Sequence, residues 1–224
     1  MNRTARVALP EADTAFLRTF MPYEIRLAQR RAMLWERDPD ALHSSVFLGV
    51  FVLRLDQPLG FTIPRGAETA AQMARHVRGL IQQVIRDSDI PVFLRDGEHL
   101  ALLRDLDPDQ AYVVAQRMLT LAGSSDLIRA TSLIPRVGYV VYPLSSRPDL
   151  EPNRWEILLS LARRMCDRSE TGGPASGFGL FPGPSAADSR IPESDLIPLV
   201  FEDAASLVKA GAIQMQRIHV LPKP

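Results

Sequence analysis

The apolar positions change period along the chain, and each period predicts an element. Residues 11 to 38 carry Phe16, Phe20 and Met21 before Pro22, and Ile25, Ala28, Ala32 and Trp35 after it, at helical spacing. This predicts a helix broken or bent near the proline. After the polar connector "RDPDALHSS", residues 46 to 56, "VFLGVFVLRLD", are apolar almost throughout, as in a strand buried on both faces. "QPLGFTIPRG" reads as a loop, and residues 67 to 86 as a helix with Ala70, Met73, Ala74, Val77, Leu80, Ile81 and Val84 on one face. "IPVFL" and "EHLALL" follow as two strands. The Asp96-Gly97 pair between them favours a type I′ hairpin turn, since both residues tolerate positive φ.

"DPDQAYVVAQRMLTLAG" predicts a second helix, with Asp107 as N-cap, Pro108 at its first position and Gly123 past its end. "IRATSLIPRVGYVVYPL" is strand material, with Pro135 marking an edge, a bulge or an interruption. "RWEILLSLARRMCDR" is a third helix of the body. "TGGPASGFGLFPGPSAADSRIPESD" is rich in Gly, Pro and Ser and reads as a loop, with "GFGLF" as a short edge strand. Residues 195 to 224 read as strand, short helix, strand.

The order helix, β, α, β, β, α, β, α predicts an α/β (α+β) fold. Its centre is a ferredoxin-like βαββαβ core, a mainly antiparallel sheet with helices on one face. The expected division is an N-terminal helical segment over 1–45, a body over 46–183, and a linker and C-terminal extension over 184–224.

Composition narrows the classes. With 46% apolar residues the chain can build a core. No apolar run nears the roughly 18 residues of a membrane span, and "MNRTARVALPEADTAF" lacks the apolar centre of a secretory signal. A soluble cytoplasmic protein of bacterial type is expected. Cys166 is the single cysteine, which excludes an internal disulfide and a cysteine-built metal site. Basic and acidic residues balance at 26 each, which argues against nucleic-acid binding through bulk charge. All basic residues but Lys209 and Lys223 are arginine. The arginine fork pairs with phosphate and with guanine edges better than lysine does.

Enzyme templates are sparse. The chain has no phosphate loop and no Gly-x-Ser-x-Gly elbow. His43, His76, His99 and His219 are scattered without ligand spacing.

Taken in order, several segments between about 46 and 182 resemble the GGDEF domain of diguanylate cyclases. "VFVLRLD" stands where that family has a first strand ending in Asp-x-Asp. "VFLRDGEHLALL" stands at its Ala-Arg-Tyr-Gly-Gly-Asp-Glu-Phe segment. "AYVVAQRML", "PRVGYVVYP" and "ILLSLARRMCD" resemble the later helix, strand and helix. The resemblance maps the signature onto Asp96, Gly97, Glu98, His99 and Leu100. The first glycine is lost, and His99 replaces an acid. The metal-holding aspartate maps to Arg54, and Asp56 to an aspartate without that role. An arginine in that place repels Mg²⁺, which needs hard oxygen ligands. The resemblance therefore implies a non-enzyme with no catalytic residue, metal or cofactor.

The family's separate product-binding site is an Arg-x-x-Asp before the signature plus a helix arginine. It maps to Arg86, Asp89 and Arg117. Six residues separate Asp89 from Asp96, one more than usual, and a bulge near Pro91 would absorb the difference. The implied ligand is cyclic di-GMP. Its guanine edges and phosphates suit arginine forks, and its guanine N–H groups suit an aspartate acceptor. The implied role is an effector that signals to a protein partner, or to a second copy, through the N-terminal helix or the C-terminal extension. Two other readings stay open at this stage. One is an interaction domain that keeps the fold and binds no nucleotide. The other is a residual enzyme using Glu98 and His99.

Overall fold

Strand β1 (Val46–Asp56) lies inside the sheet, and its residues alternate between two separate cores. Leu48, Val50 and Val52 face one core; Phe51, Leu53 and Leu55 face the other. Alternation with apolar residues on both sides is what a strand covered on both faces requires. The computed structural model describes residues 10–36, 46–56, 67–95, 98–144, 152–169, 176–182, 205–209, 211 and 213–219.

The remaining strands are β2 (Ile90–Arg95), β3 (Glu98–Arg104), β4 (Ile134–Leu144), β5 (Ser176–Pro182) and β6 (Ile213–His219). They form one six-stranded sheet in the order β2-β3-β1-β4-β5-β6. Every neighbouring pair is antiparallel except β4 with β5, which is parallel. The helices are α1 (Pro10–Glu36), α2 (Ala67–Gln82), α3 (Pro108–Ser124), α4 (Asp126–Ala130), α5 (Glu156–Arg168) and α6 (Ala205–Lys209).

Helices cover both faces of the sheet, not one. Met73, Val77 and Ile81 of α2 and Ala111, Ala115, Met118 and Leu119 of α3 join the core built on Phe51 and Leu53. Leu17, Met21 and Ile25 of α1 and Leu158, Leu161 and Met165 of α5 join the core built on Val50 and Val52. The apolar surface on the second face of β1 could not have been left to water. Glycine lets α5 approach closely. A Cβ at Gly138 of β4 would overlap the Ala162 carbonyl and the Cys166 nitrogen of α5.

Several boundaries differ from the sequence pattern. Helix α1 runs through Pro22 as one 27-residue helix. Helix α2 ends at Gln82 and closes in a turn through Gln83 to Ile85. Gly123 lies inside α3, because Ser125 both closes α3 and caps α4. Part of "IRATS" is thereby helical, and β4 starts at Ile134 with Pro135 at its beginning. β5 is interior, because β6 covers its outer side. The Asp107 cap forms as expected, accepting from the Gln110 amide at 2.7 Å with Pro108 behind it. Asp96, Gly97, Trp35's side chain and the "LIPLVF" segment lie outside the described residues.

Candidate functional site

Two places gather the residues that the sequence singles out. The first is the end of β1, where Arg54 pairs in register with Glu98 of β3 and Arg136 of β4. The Arg54 guanidinium donates to Asp56 at 2.6 and 3.3 Å and to Asp167 of α5 at 2.6 Å. Glu98 receives both forks of Arg163 of α5, at 2.6 to 3.1 Å. The Arg136 guanidinium sits 3.7 Å from Asp56 and donates to the Ser169 carbonyl at 3.0 Å. Among the described residues Arg54, Arg136 and Arg163 each lie against a carboxylate of Asp56, Asp167 or Glu98. Burial works against the charge on Arg54, but the bonds to Asp56 and Asp167 more than offset it and hold its pKa above the ordinary value. Burial also pushes the neighbouring Cys166 thiol up to about 12, so it stays protonated. Among the described residues no group of three or more His, Cys, Asp or Glu side chains is placed to hold a metal.

Glu98 and His99 are adjacent on β3 and so point to opposite faces. Glu98 meets α5; His99 lies on the face of Ala101 and Leu103, against Phe93 at 5.1 Å between ring centres. His99 is 2% exposed, and its Nε2 has no hydrogen-bond partner among the described residues. Burial, with the positive charge of Arg78, lowers its pKa to about 4. These two groups cannot act on one substrate atom as an acid–base pair. Leu100 is core.

The second place is the turn before β2. Arg86 and Asp89 share it. The Asp89 amide donates to the Arg86 carbonyl, and the Arg86 amide donates to Asp89 Oδ2, both at 2.9 Å. Asp89 Oδ1 accepts from the Arg104 amide at 3.3 Å, and Asp89 is buried. The Arg86 side chain is exposed. Arg117 is exposed on α3, beside the buried stripe of Ala111, Ala115 and Met118. It borders an open groove of about 570 Å³ whose lining also includes Gln83, Val84, Gln116 and Thr120. Arg86 follows two residues after Val84. Among the described residues neither Arg86 nor Arg117 is in an ion pair. The β2–β3 pairing has its register shift between Phe93 and Arg95, not at Pro91. Pro91 pairs regularly with Ala101 on an edge strand, where a missing amide is tolerated.

Behind this turn stand two residues that periodicity alone does not single out. Glu24 of α1 is buried and accepts both forks of Arg104 at 2.6 Å. The same guanidinium donates to the Ser88 carbonyl at 3.1 Å. The available signal was a carboxylate set between Met21 and Ile25 in the apolar stripe of a helix, since such a group needs a cation.

No family model matches the chain, and no curated protein matches it in sequence. Solved structures do match. The active GGEEF domain of a diguanylate cyclase from Vibrio cholerae is similar at 12% identity, over 69% of this chain and 90% of that one, with a TM-score of 0.52. The GGDEF domain of DgcB from Caulobacter crescentus, in complex with c-di-GMP, is similar at 16% identity over 70% and 86%, with a TM-score of 0.51. The GGDEF domain of FimX from Pseudomonas aeruginosa is similar at 14% identity over 70% and 90%, also at 0.51. At such identities the likeness is one of architecture, and the chain has the GGDEF-domain fold.

Proposed function

We propose that this chain is a catalytically inactive GGDEF-like domain that binds cyclic di-GMP through Arg86, Asp89 and Arg117 and signals to a protein partner. The observation that carries the reading is an exposed arginine, Arg117, on an open groove between α3 and the turn after α2, with a second exposed arginine, Arg86, two residues beyond Val84 of that lining and neither in an ion pair among the described residues. Two forks so placed suit the phosphates and guanine edges of a cyclic dinucleotide. Support comes from the fold, since DgcB's domain of this architecture was solved with c-di-GMP bound.

Inactivity follows from charge. Arg54 stands at the position that corresponds to the metal-holding aspartate, and its guanidinium is tied to Asp56 and Asp167. A divalent cation there would meet a fixed positive charge in place of an oxygen ligand. Without the metals nothing neutralises charge developing on a triphosphate.

A second reading has its own observation. The Asp89 carboxylate is buried and accepts two main-chain amides, as a purely structural clamp would. It predicts an interaction domain that binds no nucleotide. Calorimetric titration with cyclic di-GMP separates the two. Binding lost in Arg86→Ala and kept in Glu98→Ala supports the effector reading; no heat far above micromolar ligand supports the second. Sustained pyrophosphate release from GTP and Mg²⁺ would overturn inactivity.

A further inference from the structure

We propose that helix α1 controls the order of the 86–89 turn, and so the cyclic di-GMP site, through a clasp made by Glu24 and Arg104. The ligand half rests on the site reading above; the control of the turn does not.

The clasp is a continuous chain of hydrogen bonds. Glu24 is 4% exposed and lies in the face of α1 that packs on the sheet. Both its oxygens accept from Arg104, each at 2.6 Å, in a fork-to-fork pair. The remaining Nη1 of Arg104 donates to the Ser88 carbonyl at 3.1 Å, inside the turn. The main-chain amide of Arg104 donates to Asp89 Oδ1 at 3.3 Å, and Asp89 Oδ2 accepts from the Arg86 amide at 2.9 Å. A single residue, Arg104, thus holds α1 with its side chain and the Arg-x-x-Asp turn with both its side chain and its backbone. The next residue adds a second tie, since Arg31 of α1 donates to Asp105 at 2.7 Å.

Geometry gives the clasp its consequence. α1 packs on one face of the sheet and α2 and α3 on the other, where α3 and the turn after α2 line the groove. The clasp passes round the sheet's edge, where β3 ends at Arg104 and β2 begins at Ile90. It is a polar link between the groove face and α1. If α1 lifts, a partly buried guanidinium loses its carboxylate and the turn loses the group that fixes Ser88. A less ordered turn binds a ligand more weakly, because ordering must then accompany binding. By linkage, a ligand that orders the turn tightens α1 in the same measure. Arg104 and Glu24 are positioning residues; neither needs to touch the ligand.

Amide hydrogen exchange on the full chain tests this, with Glu24→Gln, Arg104→Gln and the double variant beside the wild type. In the absence of ligand, the Arg86 and Asp89 amides should exchange at least about tenfold faster in Glu24→Gln. The Val140 amide, in the centre of β4, should keep its wild-type rate and so exclude global loosening. The double variant should add little to either single one. With cyclic di-GMP, α1 amides should slow in the wild type and not in Glu24→Gln, whose affinity should fall about tenfold. Glu24→Asp keeps the charge and should give an intermediate rate; it replaces Glu24→Gln should that variant fail to fold. Unchanged exchange at Arg86 and Asp89 sinks the proposal, as does equal ligand affinity in variant and wild type. A wild type that binds no cyclic di-GMP, with turn exchange still accelerated in the variant, would leave the control by α1 standing and remove only the ligand reading.

Discussion

His99 carries a buried imidazole nitrogen with no partner among the described residues, and its burial sets a pH dependence. In the unfolded chain the ring protonates around its ordinary 6.5; in the folded chain, only around 4. As pH falls from 6.5 toward 4 the unfolded state takes up a proton that the folded state refuses, so stability is full above 6.5 and declines below it. The loss reaches at most about 3 kcal/mol. His99→Leu should hold stability at neutral pH, or raise it by about 1 kcal/mol, and should flatten the denaturation midpoint over that acidic window. An undiminished acid slope in the variant would assign the loss to other groups.

The same scale explains Arg54. Removing it takes from Asp56 and Asp167 the cation they share, and leaves Asp56 with Arg136 at 3.7 Å. Arg54→Ala should cost about 1–3 kcal/mol in urea unfolding, and Asp56→Asn should recover part of it. Additive costs in the double variant would mean that the two side chains do not act as a pair.

At the scale of elements, a tight constraint lies between β4 and α5. Gly138 admits the α5 backbone where no Cβ fits, and the obstructing atoms are themselves backbone and cannot rotate away. Gly138→Ala should cost about 3 kcal/mol or more, lowering the thermal midpoint by several degrees, because α5 must move as a unit. A midpoint within one degree or so of wild type would show that α5 slides freely on the sheet.

Element identity was largely readable from period. The continuous apolar run of β1, the one-sided stripes of α2 and α5, and the Asp107-Pro108 start of α3 each reflect a local rule that tertiary structure left alone. Misplaced ends had local competitors. Ser125 serves two helices, so Gly123 is not a terminus. Pro22 stays within α1 because Leu17, Met21 and Ile25 are buried around it on the sheet. β5 looked like an edge because its cover, β6, arrives from over thirty residues later in the chain. Helices on the second face were hidden for the same reason: strand period reveals two apolar faces but not what covers them.

At the scale of the whole molecule, the turn of Arg86 and Asp89 was legible as a motif, while its anchoring was not. Glu24 and Arg104 are 80 residues apart and meet only because α1 packs back over the sheet. Likewise the ion pairs of Arg54, Asp56, Glu98, Arg136, Arg163 and Asp167 gather three strands' ends and α5. The resemblance set Arg54 where the family has a carboxylate, and gave no sign of the ion pairs Arg54 makes with Asp56 and Asp167. Among the described residues no helix is long and apolar enough to cross a membrane. The molecule thus joins an ion-paired end of the sheet to a groove lined by Arg117 on the α2–α3 face. The two ends make opposite predictions for one ligand. Calorimetric titration of the full chain with cyclic di-GMP tests this most directly. The account predicts saturable binding at micromolar ligand, abolished in Arg86→Ala, weakened in Arg117→Ala and untouched in Glu98→Ala; absence of heat far above that range, or equal binding in all three variants, would contradict it.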